Sequence, residues 1–237
     1  MRTVRFFCET IERNTVISDS QFRHLTKVLR LKTGDAVEIF DGKGSLAKVI
    51  ISKIEKNLAR LAILDVKTFP KPENRRIIIA PSIAKGERFD LLVGKCTELG
   101  ADRISPIIFE RTVKQSIQLH RLETIAIESS KQCQRLFLPV IDSPMNLQQA
   151  IEKMQAEYPK AKIIFGSLSE GSKSILNIEF DSDDVIAFIG PEGGLTDAEE
   201  NLLKKNNAQP VSLTDTILRI ETAAIAAASA LAIKRTG

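Results

Sequence analysis

The chain has 237 residues, enough for one large domain or two modest ones. At 43% hydrophobic and 27% charged residues it has ordinary globular composition, with no apolar run near the ~20 residues that a membrane-spanning helix needs. The net charge is +4, and the excess is confined to residues 1–70, where 13 basic residues face 8 acidic ones. A positive module attracts a polyanion such as RNA or DNA, although a solvated basic surface would read the same way.

The opening residues carry charges where a secretory signal has its apolar core. Cys8, Cys96 and Cys133 are odd in number and far apart, so neither a disulfide framework nor a metal site is expected. A reducing, cytoplasmic setting fits them.

Residues 1–70 read as mostly β. Short strands are expected at Val4–Phe7 and Thr15–Ile17. Asp19-Ser20 is positioned to cap a helix over Gln21–Leu31, with Phe22, Leu25, Val28 and Leu29 on one face. Ala36–Phe40 and Leu46–Ile54 flank the turn Asp41-Gly42-Lys43-Gly44, and Leu58–Val66 follows. Short strands closed by turns predict a small β-barrel, which removes exposed sheet edges. The proline pair in Phe69–Asn74 marks a linker.

Strands and helices then alternate. Strands are expected at Arg76–Ala80, Ile104–Phe109, Lys162–Phe165, Val185–Ile189 and Pro210–Leu213. Helices are expected at Glu87–Leu99, around Leu119–Leu136, at Leu147–Ala156, Asp197–Lys205 and Glu221–Lys234. Such alternation predicts an α/β domain with a parallel sheet covered on both faces. The last helix is apolar all round, the pattern of a buried helix, and its small alanines permit close packing, against another subunit among other partners.

Two loops stand at the C-terminal ends of predicted parallel strands, where open α/β sheets bind ligands. Gly190-Pro191-Glu192-Gly193-Gly194 follows Val185–Ile189. Gly193 and Gly194 lack Cβ atoms and admit a ligand close to the backbone, and Thr196 with Glu199 forms a capping box for the next helix. The plain alternative is a strand-to-helix turn. The second loop runs from Leu213 through Thr214, Asp215, Thr216, Ile217 and Leu218 to Arg219, Ile220 and Glu221, placing two charges among apolar residues.

Together, IGPEGGLTDAEE and SLTDTILRIETA resemble the RsmE-type RNA methyltransferases of the SPOUT class. The likeness extends to Arg5-Phe6-Phe7, to His24–Arg30 with Gly34-Asp35, to Lys95–Gly100 and to Lys131–Arg135. It implies a PUA-like RNA-binding β-barrel over 1–70 and a SPOUT methyltransferase domain over 71–237 with a C-terminal trefoil knot. It also implies an S-adenosylmethionine pocket, a homodimer, and methylation of N3 of a uridine in small-subunit (16S) ribosomal RNA. The implied cofactor residues are Leu168, Ile189, Gly190, Glu192, Gly193 and Gly194 from the first part of the pocket. Leu213, Ile217, Leu218, Thr222 and Ala223 complete it. Arg5, Arg23, His24, Lys27 and Arg30 are the implied RNA contacts.

Three residues depart from the family pattern: Thr214 stands where Gly is usual, Thr216 where Arg is common and Lys131 where Glu is more usual. A β-branched Thr resists a positive φ.

N3 of uracil carries a proton at neutral pH, so the site must favour the uridylate. A guanidinium beside the base oxygens stabilises that charge, which assigns Arg219 a catalytic part. It cannot be the base, its own pKa being too high. Glu192, Asp215 and Glu221 are the candidate carboxylates, with Glu221 equally suited to the first turn of a helix. The rival class is a non-catalytic RNA-binding ribosome-assembly factor, for which the basic first third is equal support.

Overall fold

The computed structural model describes residues 4–179 and 183–236. They form two units. One takes the chain up to Lys71 together with Ser130–Leu138; the other takes Pro72–Ser129 and the chain from Pro139.

The first unit is built on β1 (Arg5–Phe7), β2 (Val16–Ser18), β3 (Ala36–Phe40), β4 (Ser45–Ile54) and β5 (Leu58–Thr68). They pair in the order β1-β3-β4-β5-β2, antiparallel except for β1 beside β3. Alternate residues, among them Phe6, Val37, Ile39, Val49 and Ile51, turn inward to one buried core. The barrel expected from the strand pattern is a partly open one: among the described residues the end strands β1 and β2 are not joined by strand pairing.

The expected helix over Gln21–Leu31 divides. A short α1 (Asp19–Arg23) passes into one π-helical turn, His24–Val28, where the Leu29 N–H donates to the His24 carbonyl at 3.0 Å. The wider turn keeps Leu25 buried but rotates Val28, expected on the apolar face, out to 66% exposure. Arg30, at φ 54°, ends the segment.

Ser130–Leu138 lies with this unit. The Leu138 N–H donates to the Gly42 carbonyl at 2.9 Å. At Gly44, φ 111°, a Cβ would come within 2.6 Å of the Phe137 ring, so the turn between β3 and β4 requires glycine there.

The second unit follows as β6 (Ile77–Pro81), α2 (Glu87–Glu98), β7 (Arg103–Ile104), β8 (Ile107–Ile108), α3 (Leu119–Cys133, whose residues from Ser130 on belong to the first unit), β9 (Val140–Ile141), β10 (Met145–Asn146) and α4 (Leu147–Glu157). Then come β11 (Lys162–Gly166), β12 (Lys173–Ser174), β13 (Val185–Ile189), α5 (Asp197–Lys205), β14 (Gln209–Ser212) and α6 (Ile220–Thr236). Among the described residues seven strands form an all-parallel sheet in the order β12-β14-β11-β13-β6-β7-β9.

Its strands are apolar on both faces because both are covered. Ile77 and Ile79 of β6 pack with Phe89, Leu92 and Cys96 of α2 and with the alanines of α6. Ile78 and Ala80 point the other way, to Leu147, Ile151 and Met154 of α4 and Leu203 of α5. The single strand expected over Ile104–Phe109 is two, because Pro106 has no N–H to continue a ladder; β7 stays in the large sheet while β8 pairs with β10. α6 is covered on one side only: Ala224, Ala227, Ala228 and Leu231 are buried, whereas Ile225, Ala226 and Ala230 are half-buried and Ile233 is exposed. The expectation of burial all round is thus met on one face.

Candidate active site

Three neighbouring strands, β14, β11 and β13, end in three loops that line one cavity of about 440 Å³. After β11 come Ser167, Leu168 and Ser169; after β13, Gly190 to Leu195; after β14, Leu213, Thr214, Thr216, Ile217 and Leu218. Ala223 of α6 and Val211 close the floor. The site lies at the carboxyl edge of a parallel sheet, where strand ends leave backbone groups unpaired for a ligand.

The first glycine loop is a tight turn: the Gly194 N–H donates to the Pro191 carbonyl at 2.9 Å, and Gly194 has φ 73°. Arg111 donates to the Gly193 carbonyl at 2.7 Å. Thr196 and Glu199 form the expected reciprocal capping box at the start of α5. The Glu199 carboxylate also accepts from the Glu110 N–H at 2.7 Å. In the second loop the Thr214 hydroxyl donates to the Thr216 carbonyl at 3.0 Å. Thr214 is absent from the positive-φ residues, so its side chain shapes the loop by a local hydrogen bond without the strained backbone that a β-branched residue resists.

A second cavity, about 540 Å³, adjoins the first and shares Glu192, Ile217 and Leu218 with it. Its remaining walls are Arg88 and Arg219. Arg88 Nη1 donates to Glu192 Oε1 at 2.6 Å. Arg219 is exposed, with no ion pair to Asp215 or Glu221, so the structural pairing that competes with a functional reading is not made.

Glu221 and Thr222 line neither cavity. Successive helical residues point about 100° apart, so with Ala223 facing the floor its two predecessors turn aside. Thr222 is exposed; Glu221 is 6% exposed with no hydrogen-bond partner for Oε2. Burial pushes the Cys96 thiol up to about 12, which removes it from nucleophilic chemistry at neutral pH.

A model of the RNA methyltransferase domain matches residues 71–232, and one of the RNA methyltransferase PUA domain matches residues 17–64. The ribosomal RNA small subunit methyltransferase E of Synechocystis is 30% identical, over 91% of this chain and 71% of that relative. The chain belongs to the ribosomal RNA small subunit methyltransferase E family. Solved structures agree with this RsmE-type assignment. A probable rRNA-methyltransferase of Porphyromonas gingivalis has a TM-score of 0.89 at 28% identity, with 98% of both chains covered. The small subunit methyltransferase E of Neisseria gonorrhoeae, bound to S-adenosyl methionine, has a TM-score of 0.85 at 30% identity, with 97% of both chains covered.

Within this RsmE-type chain, Leu168, Ile189, Gly190, Glu192, Gly193, Gly194, Leu213, Ile217, Leu218 and Ala223 meet around one cavity. In the N-terminal unit Arg23, His24, Lys27 and Arg30 are exposed. Arg5 is not: Nη2 holds Glu38 at 2.8 Å, Nη1 donates to the Gln134 carbonyl at 2.7 Å, and 7% of the side chain is exposed. Its charge is already matched within the fold. Sequence reasoning missed Arg88 and Arg111, which reach the glycine loop from other elements. The strand pattern does not single out the Gly166–Ser169 loop, although it too follows a predicted parallel strand; only Leu168 in it is implied, by the family resemblance.

Proposed function

We propose that this chain is an S-adenosylmethionine-dependent methyltransferase of small-subunit ribosomal RNA, and that it methylates N3 of a uridine. The observation that carries the reading is the convergence of three post-strand loops on one cavity, in a chain of the RsmE-type family.

The residues present fit the cofactor. Leu168, Ile189, Leu213 and Leu218 offer an apolar slot for an adenine ring, the glycine turn offers backbone groups, and the Glu192 carboxylate suits a cation at the pocket edge. When bound, S-adenosylmethionine supplies an electrophilic methyl group. The chain's own residues then hold the target base in line with it. Arg219 stabilises negative charge on the uracil oxygens as the N3 proton leaves. Glu192 is the one candidate carboxylate at the boundary of both cavities, and it is the proton acceptor we favour.

Arg23, His24, Lys27 and Arg30 form the RNA-docking face of a PUA-like module. The half-buried side of α6 is the homodimer contact, and the carboxyl-terminal domain carries the trefoil knot of its class. Unpaired thiols suit a cytoplasmic setting.

The decisive experiment combines calorimetry with S-adenosylmethionine and nucleoside mass spectrometry of ribosomal RNA after reaction with the small subunit. N3-methyluridine is the expected product. An RNA-binding protein without affinity for S-adenosylmethionine would overturn the enzyme reading in favour of an assembly factor.

A further inference from the structure

We propose that Arg88 is an RNA-phosphate contact of the vestibule, masked by Glu192 until substrate enters. The proposal rests on the methyltransferase reading above and concerns a residue that the glycine-loop signatures do not contain.

The vestibule holds two guanidiniums, Arg88 and Arg219, against one carboxylate, Glu192. It therefore carries net positive charge beside the cavity in which the reaction is placed. Arg219 has no carboxylate partner there, whereas Arg88 is tied to Glu192 at 2.6 Å. That tie is easily exchanged. The two side chains are 32% and 52% exposed, and solvent-exposed ion pairs contribute little to stability.

Arg88 stands in the first turn of α2, whose N-cap is Gly86 with no side-chain cap bond. A cation in a first turn opposes the helix dipole, so helix stability does not account for an arginine at this position. An anion would meet both the guanidinium and the positive end of the helix. A phosphodiester accepts two parallel N–H bonds from a guanidinium as readily as a carboxylate does. Release of Glu192 leaves its carboxylate at the boundary of the two cavities, so RNA entry and the freeing of that carboxylate become one event.

The test measures salt-dependent RNA binding by fluorescence anisotropy, with S-adenosylmethionine affinity by calorimetry, on the full chain. Arg88→Ala is expected to flatten the log affinity–log salt slope by about 0.7–0.9, the loss of one phosphate contact, with S-adenosylmethionine affinity not lowered. Glu192→Gln removes the competing carboxylate and is expected to tighten RNA binding about two- to fivefold, given the small worth of an exposed ion pair. Arg88→Lys should restore the slope but only part of the affinity, since lysine keeps charge without the planar fork. An unchanged slope in a folded Arg88→Ala protein overturns the proposal. So does weakened S-adenosylmethionine binding with normal RNA binding, which would make Arg88 a positioning residue for the cofactor pocket. A wild-type chain that binds neither ligand refutes the methyltransferase reading itself, a separate result.

Discussion

The side-chain amide of Gln21 fills both open backbone positions of Phe7: its Oε1 accepts from the Phe7 N–H at 3.0 Å, and its Nε2 donates to the Phe7 carbonyl at 2.8 Å. Val4 and Cys8, which flank β1, use their backbone toward β3. Phe7 therefore points its own groups to the outer edge, and one amide acts there as a surrogate strand. An open edge is a template for pairing with other chains. Gln21→Ala is expected to cost about 1–3 kcal/mol, two net hydrogen bonds, in chemical denaturation. Gln21→Glu should do no better, because a carboxylate cannot donate to the Phe7 carbonyl. Wild-type stability in both variants would remove this amide from the edge's support.

A buried charge cluster sets the acid limb of stability. Burial alone would push the Asp142 carboxyl up, but hydrogen bonds from Arg103, Lys153 and Ser105 outweigh it and hold it at about 2. Arg103 meets it at 2.6 and 2.9 Å and Lys153 at 2.8 Å. The folded value lies below the ordinary carboxylate range, so this contribution is fully present above pH ~4 and is lost as pH falls toward 2. Its size is on the order of 2 kcal/mol. Asp142→Asn should lower stability at pH 7 and flatten the loss between pH 4 and 2 in pH-dependent melting.

Gly194 tests conformation rather than space. A Cβ there meets only Arg111 Nη1, at 4.0 Å, but φ is 73°. Gly194→Val forces a β-branched residue into the left-handed region. It should reduce cofactor affinity by reshaping the turn and also lower the melting temperature. Gly194→Asn, which tolerates that region, should retain most of both. Equal losses in the two variants, measured by calorimetry and melting, would show that bulk and not backbone is decisive.

Among the described residues Arg219 faces the vestibule without a carboxylate partner, so its removal should leave the fold intact. Arg219→Ala is expected to lower turnover by about 10²–10³, the scale for a lost donor to developing charge, with cofactor affinity and melting temperature nearly unchanged. Arg219→Lys measures how much of that requires the planar fork. Normal turnover of a folded Arg219→Ala protein would end the catalytic assignment.

The exposed cations of the N-terminal unit predict salt-sensitive docking. Replacing Arg23 and Lys27 together by Ala should flatten the log affinity–log salt slope by about 1.4–1.8, two phosphate contacts, and spare cofactor affinity. Lys27 lies in the π turn and Arg23 ends α1. Single variants will show whether the two act as one face. The same slope in the double variant would move RNA docking elsewhere.

The two grammars of the chain, the capping box at Thr196, the glycine turn after β13 and the strand-end placement of the second loop are all legible in the amino-acid order alone. Each of these is written in residues within a few positions of one another, where periodicity, capping and turn chemistry act. Tertiary structure decided which charges are available. Arg5 is matched by Glu38, 33 residues away, and Arg88 by Glu192, 104 residues away, while Arg219 is left open. It also turned Glu221 and Thr222 aside from the cavity, carried Ser130–Leu138 to the N-terminal unit and widened one helical turn so that Val28 faces water. Those outcomes depend on strand order, helix rotation and packing between segments remote in the chain, on which local propensity has no purchase.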